Sequence, residues 1–257
     1  MGEFKFKRFS VINERSAMKV NTDGVLLGAI MTVCNSDKYL LDIGTGTGTI
    51  ALMAAQRHSE AGNEKCHIDA IDIDASSAEE AGANFMRSPW SGMLRARSIS
   101  FADFTPMVFN SAKGESQVNI SLKFDHIFSN PPYFETELKS PDSRRREARH
   151  SESMSYRDIL EFSAKNLSDN GRVSLILPSE TETDLCRYAR MCGLFLFREV
   201  KIKTVSSKPP RRIVAEFIRK RMENPEVKEL TIHEKGRYTE EYVNLTSPYY
   251  LFGSDRD

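Results

Sequence analysis

A short apolar run, Tyr39 to Ile43, leads straight into Gly44-Thr45-Gly46-Thr47-Gly48-Thr49, and a helix-like stretch follows from Ile50 to Arg57. A strand that ends in alternating glycines and feeds a helix lets backbone approach a ligand closely, because glycine has no Cβ in the way. The same pattern also suits a plain strand-to-helix turn, so a second signal is needed. The strict dinucleotide register asks for glycine where Thr49 stands, although Gly46, Gly48 and Ala51 fit its looser form. No lysine follows in the position a P-loop requires.

The second signal lies at the end of the next strand-like run, Ile68 to Ile73. A carboxylate at Asp72 offers two acceptor oxygens, matching the two donors of a ribose diol. Asp74 is better placed to cap the helix-like stretch Ala75 to Arg87, and Asp69 to face outward. A third acid, Asp103, stands where a further strand would end and reads equally as a turn aspartate or a ligand contact.

From residue 38 onward strand-like and helix-period runs alternate, which predicts a mostly parallel sheet flanked by helices. Phe124 to Ser129 and Val173 to Leu177 are further buried-strand candidates. Tyr156, Ile159, Leu160, Ser163, Ala164 and Leu167 recur at helical spacing, with Ser155 as cap and Gly171 as stop. Leu185, Tyr188, Ala189 and Cys192 repeat the pattern up to Gly193. Leu194 to Lys203 and Arg212 to Lys220 then read as an antiparallel hairpin closing the sheet edge. Thr105 to Lys123 and Glu135 to Ser153 read as polar and charged loops. The whole chain, 1–257, is expected to form one domain, with 1–37 as an N-terminal lid and helix segment and 38–257 as the core carrying a basic loop at 135–153.

Charge narrows the partners. Thirty-six basic and thirty-six acidic side chains cancel, which excludes a polybasic binder but not a local basic patch. The longest apolar run, Val25 to Val33, is too short to span a bilayer, and the start lacks an apolar signal region. Cys34, Cys66, Cys186 and Cys192 fit no metal-ligand spacing. A cytoplasmic protein without membrane association or bound metal is expected, as a monomer or weak homodimer.

Phe128-Ser129-Asn130-Pro131-Pro132-Tyr133 follows a buried strand. Two prolines remove two backbone donors and stiffen the loop, leaving carbonyl acceptors without competing N–H groups. Asn130 adds a side-chain carbonyl and Tyr133 a flat face. That set suits a planar amine: acceptors take its hydrogens while the aromatic ring stacks on the ring that bears it. Asn130, Pro131, Pro132 and Tyr133 are therefore the candidate catalytic residues. His126 and His150, close in sequence, read as structural or phosphate-contacting.

Together these motifs resemble the class I S-adenosylmethionine-dependent methyltransferases. The resemblance implies a Rossmann-like fold, a mostly parallel seven-stranded sheet with a C-terminal antiparallel hairpin, and S-adenosyl-L-methionine as cofactor. It implies that Asp42, Gly44, Gly46 and Gly48 lie beneath the methionine and ribose, that Asp72 binds the diol, and that Asp103 meets the adenine amine. Asn130 would then face both cofactor and substrate. Enzymes with this tetrapeptide methylate adenine N6, cytosine N4 or glutamine. Lys139, Arg144, Arg145, Arg146, Arg149 and His150 crowd the loop after it. Two further basic stretches, Phe4 to Val20 and Lys201 to Arg212, complete a footprint suited to a phosphate backbone.

The resemblance narrows with Ser16-Ala17-Met18-Lys19-Val20, Thr22-Asp23-Gly24-Val25-Leu26-Leu27-Gly28, Ser88-Pro89-Trp90, Pro141-Asp142, Ala148-Arg149-His150 and Gly236-Arg237-Tyr238-Thr239. In order along nearly the whole chain, these are similar to the bacterial tRNA(Val) adenosine-37 N6-methyltransferases. That family implies a tRNA anticodon stem-loop as partner, and Thr22 and Asp23 near the cofactor at the lid. A protein-glutamine methyltransferase, a DNA adenine methyltransferase, a non-catalytic RNA-binding module and a nicotinamide oxidoreductase are the alternatives. The first resembles a chain with a helical domain ahead of the cofactor domain, and the second one with a separate target-recognition region.

Overall fold

The structure, a computed structural model, describes residues 2–16, 18–110, 115–118, 122–132 and 154–251, with backbone only at 107–110 and 115–118. Tyr133, Lys139, Arg144, Arg145, Arg146, Arg149 and His150 lie outside the described residues.

Strands β1 (Glu3–Lys5) and β2 (Ser10–Ile12) pair antiparallel ahead of α1 (Thr22–Ile30). The core then runs β3 (Tyr39–Ile43), α2 (Thr49–Glu60), β4 (His67–Asp72), α3 (Ala75–Met86) and β5 (Leu94–Ser98). A small hairpin, β6 (Met107–Asn110) and β7 (Glu115–Val118), precedes β8 (Phe124–Ser129). After α4 (Tyr156–Asn166) come β9 (Leu167–Pro178), α5 (Glu182–Met191), β10 (Phe195–Val205), β11 (Arg212–Ile218), β12 (Glu226–Glu234), β13 (Arg237–Tyr238) and α6 (Glu240–Thr246).

One sheet takes nine of these strands in the order β13-β12-β10-β11-β9-β8-β3-β4-β5. From β9 to β5 all neighbours are parallel, whereas β11 runs antiparallel between β9 and β10. The chain crosses from β3 to β4 and β5 on one side and to β8 and β9 on the other, so the strand order reverses at β3. Ligands of open α/β sheets bind at the carboxyl ends of strands at such a reversal.

Successive strand residues feed opposite cores. Leu40, Ile68, Ala70, Phe128 and Ile176 pack with α1 and α2 on one face, while Leu41, Ile43, Ile71, Ile127 and Leu175 pack with α4 and α5 on the other. Covering both faces is why these strands read as continuous apolar runs rather than alternating ones. The run beginning at Val25 is helix α1, buried from Gly24 to Ile30, and apolar all round because it is enclosed. A Cβ on Gly28 would come within 2.8 Å of Met53 Sδ, so glycine sets how closely α1 approaches α2.

Three expectations change. Among the described residues the sheet has nine strands, not seven, and the β10–β11 hairpin lies inside it, because β12 pairs parallel along the outer side of β10. The charged run Glu226–Glu234 hides a strand whose Leu230 and Ile232 are the inward positions. Helix α4 ends at Asn166, and Gly171 instead lies in β9. A Cβ there would be 2.6 Å from Phe124 O, beside the register shift between β8 and β9, so a side chain is sterically refused. Finally, the polar segment Thr105 to Lys123 carries the β6–β7 hairpin rather than an irregular loop throughout. Among the described residues no helix is long and apolar enough to cross a membrane.

Candidate active site

The glycine loop after β3 is fixed by the ends of two strands. Gly44 N and Thr45 N both donate to Ile71 O, at 2.9 and 3.0 Å, and Gly46 N donates to Asp72 Oδ2 at 2.8 Å. Gly44, Gly46 and Gly48 have φ of 71°, 55° and 81°, a region that costs any other residue strain. Gly48 is constrained twice, since a Cβ would also meet Phe85 Cε1 at 2.5 Å.

Above this loop lies a cavity of about 780 Å³, a size suited to a nucleoside carrying an amino-acid arm. Gly44, Gly46 and Asp72 form part of its wall. Burial pushes the Asp72 carboxyl upward, opposed by backbone amides that donate to it. Asp74 caps α3, accepting from Ser77 N at 2.9 Å and from Ser77 Oγ at 2.7 Å. These bonds hold its carboxyl below the usual range. Asp72 Oδ1 accepts from Asp74 N at 3.0 Å, so a diol at Asp72 would share its oxygens with two backbone amides.

Asp42 sits behind the wall, fully buried. Its Oδ2 accepts from Thr45 Oγ1 at 2.7 Å, while Oδ1 has no hydrogen-bond partner. Burial pushes this carboxyl up to about 7, with the nearby Asp72 charge adding to the rise. A buried acceptor without a donor is costly. An ammonium group nearby would favour its ionised form, so the donor set fits a cationic amino-acid arm at this end of the cavity.

The catalytic loop meets the same cavity from β8. Ser129 Oγ donates to Ile43 O at 2.6 Å, tying the end of β8 to the end of β3. Asn130 follows at once, 8% exposed, and both Asn130 and Pro132 line the cavity. Pro131 is buried. Asn130 Nδ2 lies 3.9 Å from Met18 Sδ, so the amide already has one side engaged by the N-terminal segment.

Not every expected residue comes to this cavity. At the end of β5 its wall is made by Ile99, Ser100, Phe101 and Ala102, while Asp103 is exposed and accepts from Ser100 Oγ at 2.6 Å. Thr22 and Asp23 line a second cavity of about 540 Å³, where Asp23 pairs with Arg212 at 2.9 Å. His126 is fully buried between Ser174 and Arg172, and burial holds its imidazole well below its usual pKa, so it cannot meet a phosphate.

Two contributors were missed in the sequence. Asp158, Glu161, Phe162 and Lys165 of α4 line the cavity at helical spacing, on the face beside the buried stripe. The buried stripe is legible in the sequence, and these four positions flank it. Met18 also lines the cavity, on a segment anchored by Glu80, whose carboxylate accepts from Glu14 N, Arg15 N and Ser16 N. No local pattern announces that anchor, because Glu80 reads as an ordinary helix-surface acid. Among the described residues no cluster of three or more His, Cys, Asp or Glu side chains could hold a metal ion.

Known structures share this architecture. A predicted O-methyltransferase from Agrobacterium tumefaciens superimposes with a TM-score of 0.60 at 15% identity, covering 88% of this chain and 96% of that one. A ribosomal protein L11 methylase from Lactobacillus delbrueckii subsp. bulgaricus gives 0.51 at 15% identity, over 84% and 100%. The fold is thus that of the class I S-adenosylmethionine-dependent methyltransferases. No protein-family model matches the chain. Sequence relatives are more specific. A Bacteroides fragilis protein named tRNA1(Val) (adenine(37)-N6)-methyltransferase is 39% identical over 248 residues, covering 96% of this chain and 97% of that protein. A namesake from Trichodesmium erythraeum is 38% identical over 251 residues, covering 97% and 98%. The chain belongs to the tRNA1(Val) (adenine(37)-N6)-methyltransferase family.

Proposed function

We propose that the protein methylates N6 of adenosine 37 in the anticodon loop of a tRNA(Val), with S-adenosyl-L-methionine as donor. The observation that carries this reading is that Asn130 and Pro132 share one cavity wall with Asp72 and the glycine loop. Asn130 thereby offers one acceptor for a planar amine beside a site suited to a nucleoside, and the Pro131 carbonyl is proposed as the second. The names of the relatives support the choice of tRNA over other amines.

The cofactor supplies a methyl group made electrophilic by its sulfonium. Adenine N6 is a weak nucleophile, because its lone pair is delocalised into the ring. Asn130 Oδ1 and the Pro131 carbonyl accept the two amine hydrogens and draw the nitrogen toward a localised, pyramidal geometry. They also stabilise the positive charge that develops there, in a site prepared before the reaction starts. The Ser129–Ile43 bond keeps this loop at a fixed distance from the glycine loop, so proximity contributes as well. The nitrogen becomes acidic once alkylated, and its proton leaves to water. Tyr133 is proposed to stack on the adenine. The basic loop from Lys139 to His150 is proposed to contact phosphates of a single-stranded loop, whose bases need little unpairing.

The test is incubation with labelled cofactor against total tRNA, DNA and release-factor protein, followed by nucleoside and amino-acid analysis. Label is expected on N6-methyladenosine from tRNA. Label on glutamine, or on DNA alone, contradicts the assignment.

A further inference from the structure

The second cavity lies on the same edge of the sheet as the first. Parallel strands β8 and β9 end side by side there, β9 closing with Pro178 and continuing into Ser179, which lines the second cavity. Antiparallel β11 begins at the same edge with Arg212, and β10 and β12 contribute Ile202 and Ile232 further along. With neighbouring strands spaced about 4.8 Å apart, the cavity stands roughly 10–15 Å from the Asn130 loop. The cofactor cavity extends the opposite way, toward β4 and β5.

Its chemistry is selective. Leu26, Ile202 and Ile232, all buried, give it apolar surface together with Pro209 and Pro210. Asp23, Glu180 and Arg212 bring both signs of charge to the same space. A bare phosphate would meet two carboxylates there. A hydrocarbon would strip water from the Asp23–Arg212 pair and return no hydrogen bonds. A nucleobase answers both conditions, having two flat apolar faces and an edge that carries donors and acceptors together. Lys208 and Arg211, at the mouth of the connector between β10 and β11, suit the sugar-phosphate chain leaving the cavity.

We propose that this cavity receives an unpaired base flanking the target adenine, so that the enzyme holds two splayed nucleotides at once, one at Asn130 and one between α1 and the β10–β11 connector. The proposal rests on the tRNA reading above. Sequence-specific RNA recognition works largely on bases splayed out of single-stranded loops. Here the second base gives a reason for the Thr22–Asp23 helix start and the added strand β12, neither of which touches the first cavity.

The experiment combines a filled cavity with an erased base. Thr204 lines the cavity and is exposed, so Thr204→Trp occupies the space without disturbing a core. Steady-state methylation is measured on an anticodon stem-loop RNA and on versions with one abasic site at each position beside the target. For the wild type, one abasic position is expected to raise KM about tenfold, in the range that loss of one base contact gives. Thr204→Trp is expected to raise KM similarly on intact RNA and to remove the abasic penalty, with cofactor Kd and melting temperature unchanged. Should that variant misfold, Pro209→Trp, at another exposed lining position, gives the same reading. An unchanged KM in the filled variant, a penalty that persists in it, or no abasic position that matters in the wild type overturns the second site. Absence of any methyl on the target adenine in the wild-type reaction overturns the tRNA reading itself, and the site with it.

Discussion

The two ends of the sheet bury charge in opposite ways. At the amino end, Arg172 donates to both oxygens of Asp37, at 3.0 and 2.6 Å, and to Thr32 O. Glu216, fully buried and level with Asp42 three strands away, accepts from Thr32 N, Thr32 Oγ1, Ser174 Oγ and Arg198 Nη1. Every carboxylate oxygen of that pair of acids has a donor. At the carboxyl end, Asp42 is buried just as deeply yet has one oxygen without a partner, and Asp72 is half-buried against a cavity. A completed network holds strands in register. At Asp42 the unpartnered oxygen lies behind the glycine loop that walls the cavity, where a cationic ligand group would offset its cost.

This contrast can be broken from either side. The largest effect is expected at the amino end. Arg172→Met leaves Asp37 buried without its cation, which should cost about 3–5 kcal/mol of unfolding free energy. A urea titration would show it, while kcat per folded molecule stays at the wild-type value. A fall in kcat without loss of stability would mean that the two ends are not separate.

At the carboxyl end, Asp72→Ala removes a charged acceptor from the cavity, a loss of roughly 1.5–3 kcal/mol. Calorimetry should find cofactor binding weakened about ten- to a hundredfold, with a smaller loss of stability because Gly46 N and Asp74 N lose their acceptor. Unaltered affinity would remove Asp72 from the diol.

Asp42 gives an effect whose size depends on pH, and one with a sign. Its folded pKa, about 7, lies above the ordinary 3.8, so the cofactor-free fold holds this proton more tightly than the unfolded chain does. The group's favourable contribution is fully present below about 3.8 and is lost as pH rises through about 7. Asp42→Asn should therefore stabilise the cofactor-free protein at pH 8, with the gain shrinking toward pH 5 in thermal melts. A pH-independent difference would contradict the buried, half-partnered carboxylate.

The same contrast explains what the sequence disclosed. Features written in neighbouring residues were legible: the glycine run after β3, the acid ending β4, the Asp74 cap, the Asn-Pro-Pro run that follows β8 and the Ser155 cap. Features made by residues far apart were not. His126, four positions before Asn130, sits at the amino end because its partners Arg172 and Ser174 come from β9. Asp23 faces Arg212, 189 positions away, and so belongs to the second cavity rather than the first. Strand β12 was hidden because a two-residue alternation inside a charged run gives little hydrophobic signal. Side chains converge by tertiary packing, and only local chemistry leaves a local trace.

The central claim is that the loop at Asn130 activates the nitrogen and does not hold the cofactor. Its most direct test is Asn130→Ala, read as single-turnover methyl transfer to tRNA beside calorimetric cofactor binding. Loss of one preorganised polar group should slow transfer about 10²- to 10³-fold, with cofactor Kd within about twofold of the wild type. Equal loss of binding and transfer, or transfer that survives, would contradict the account.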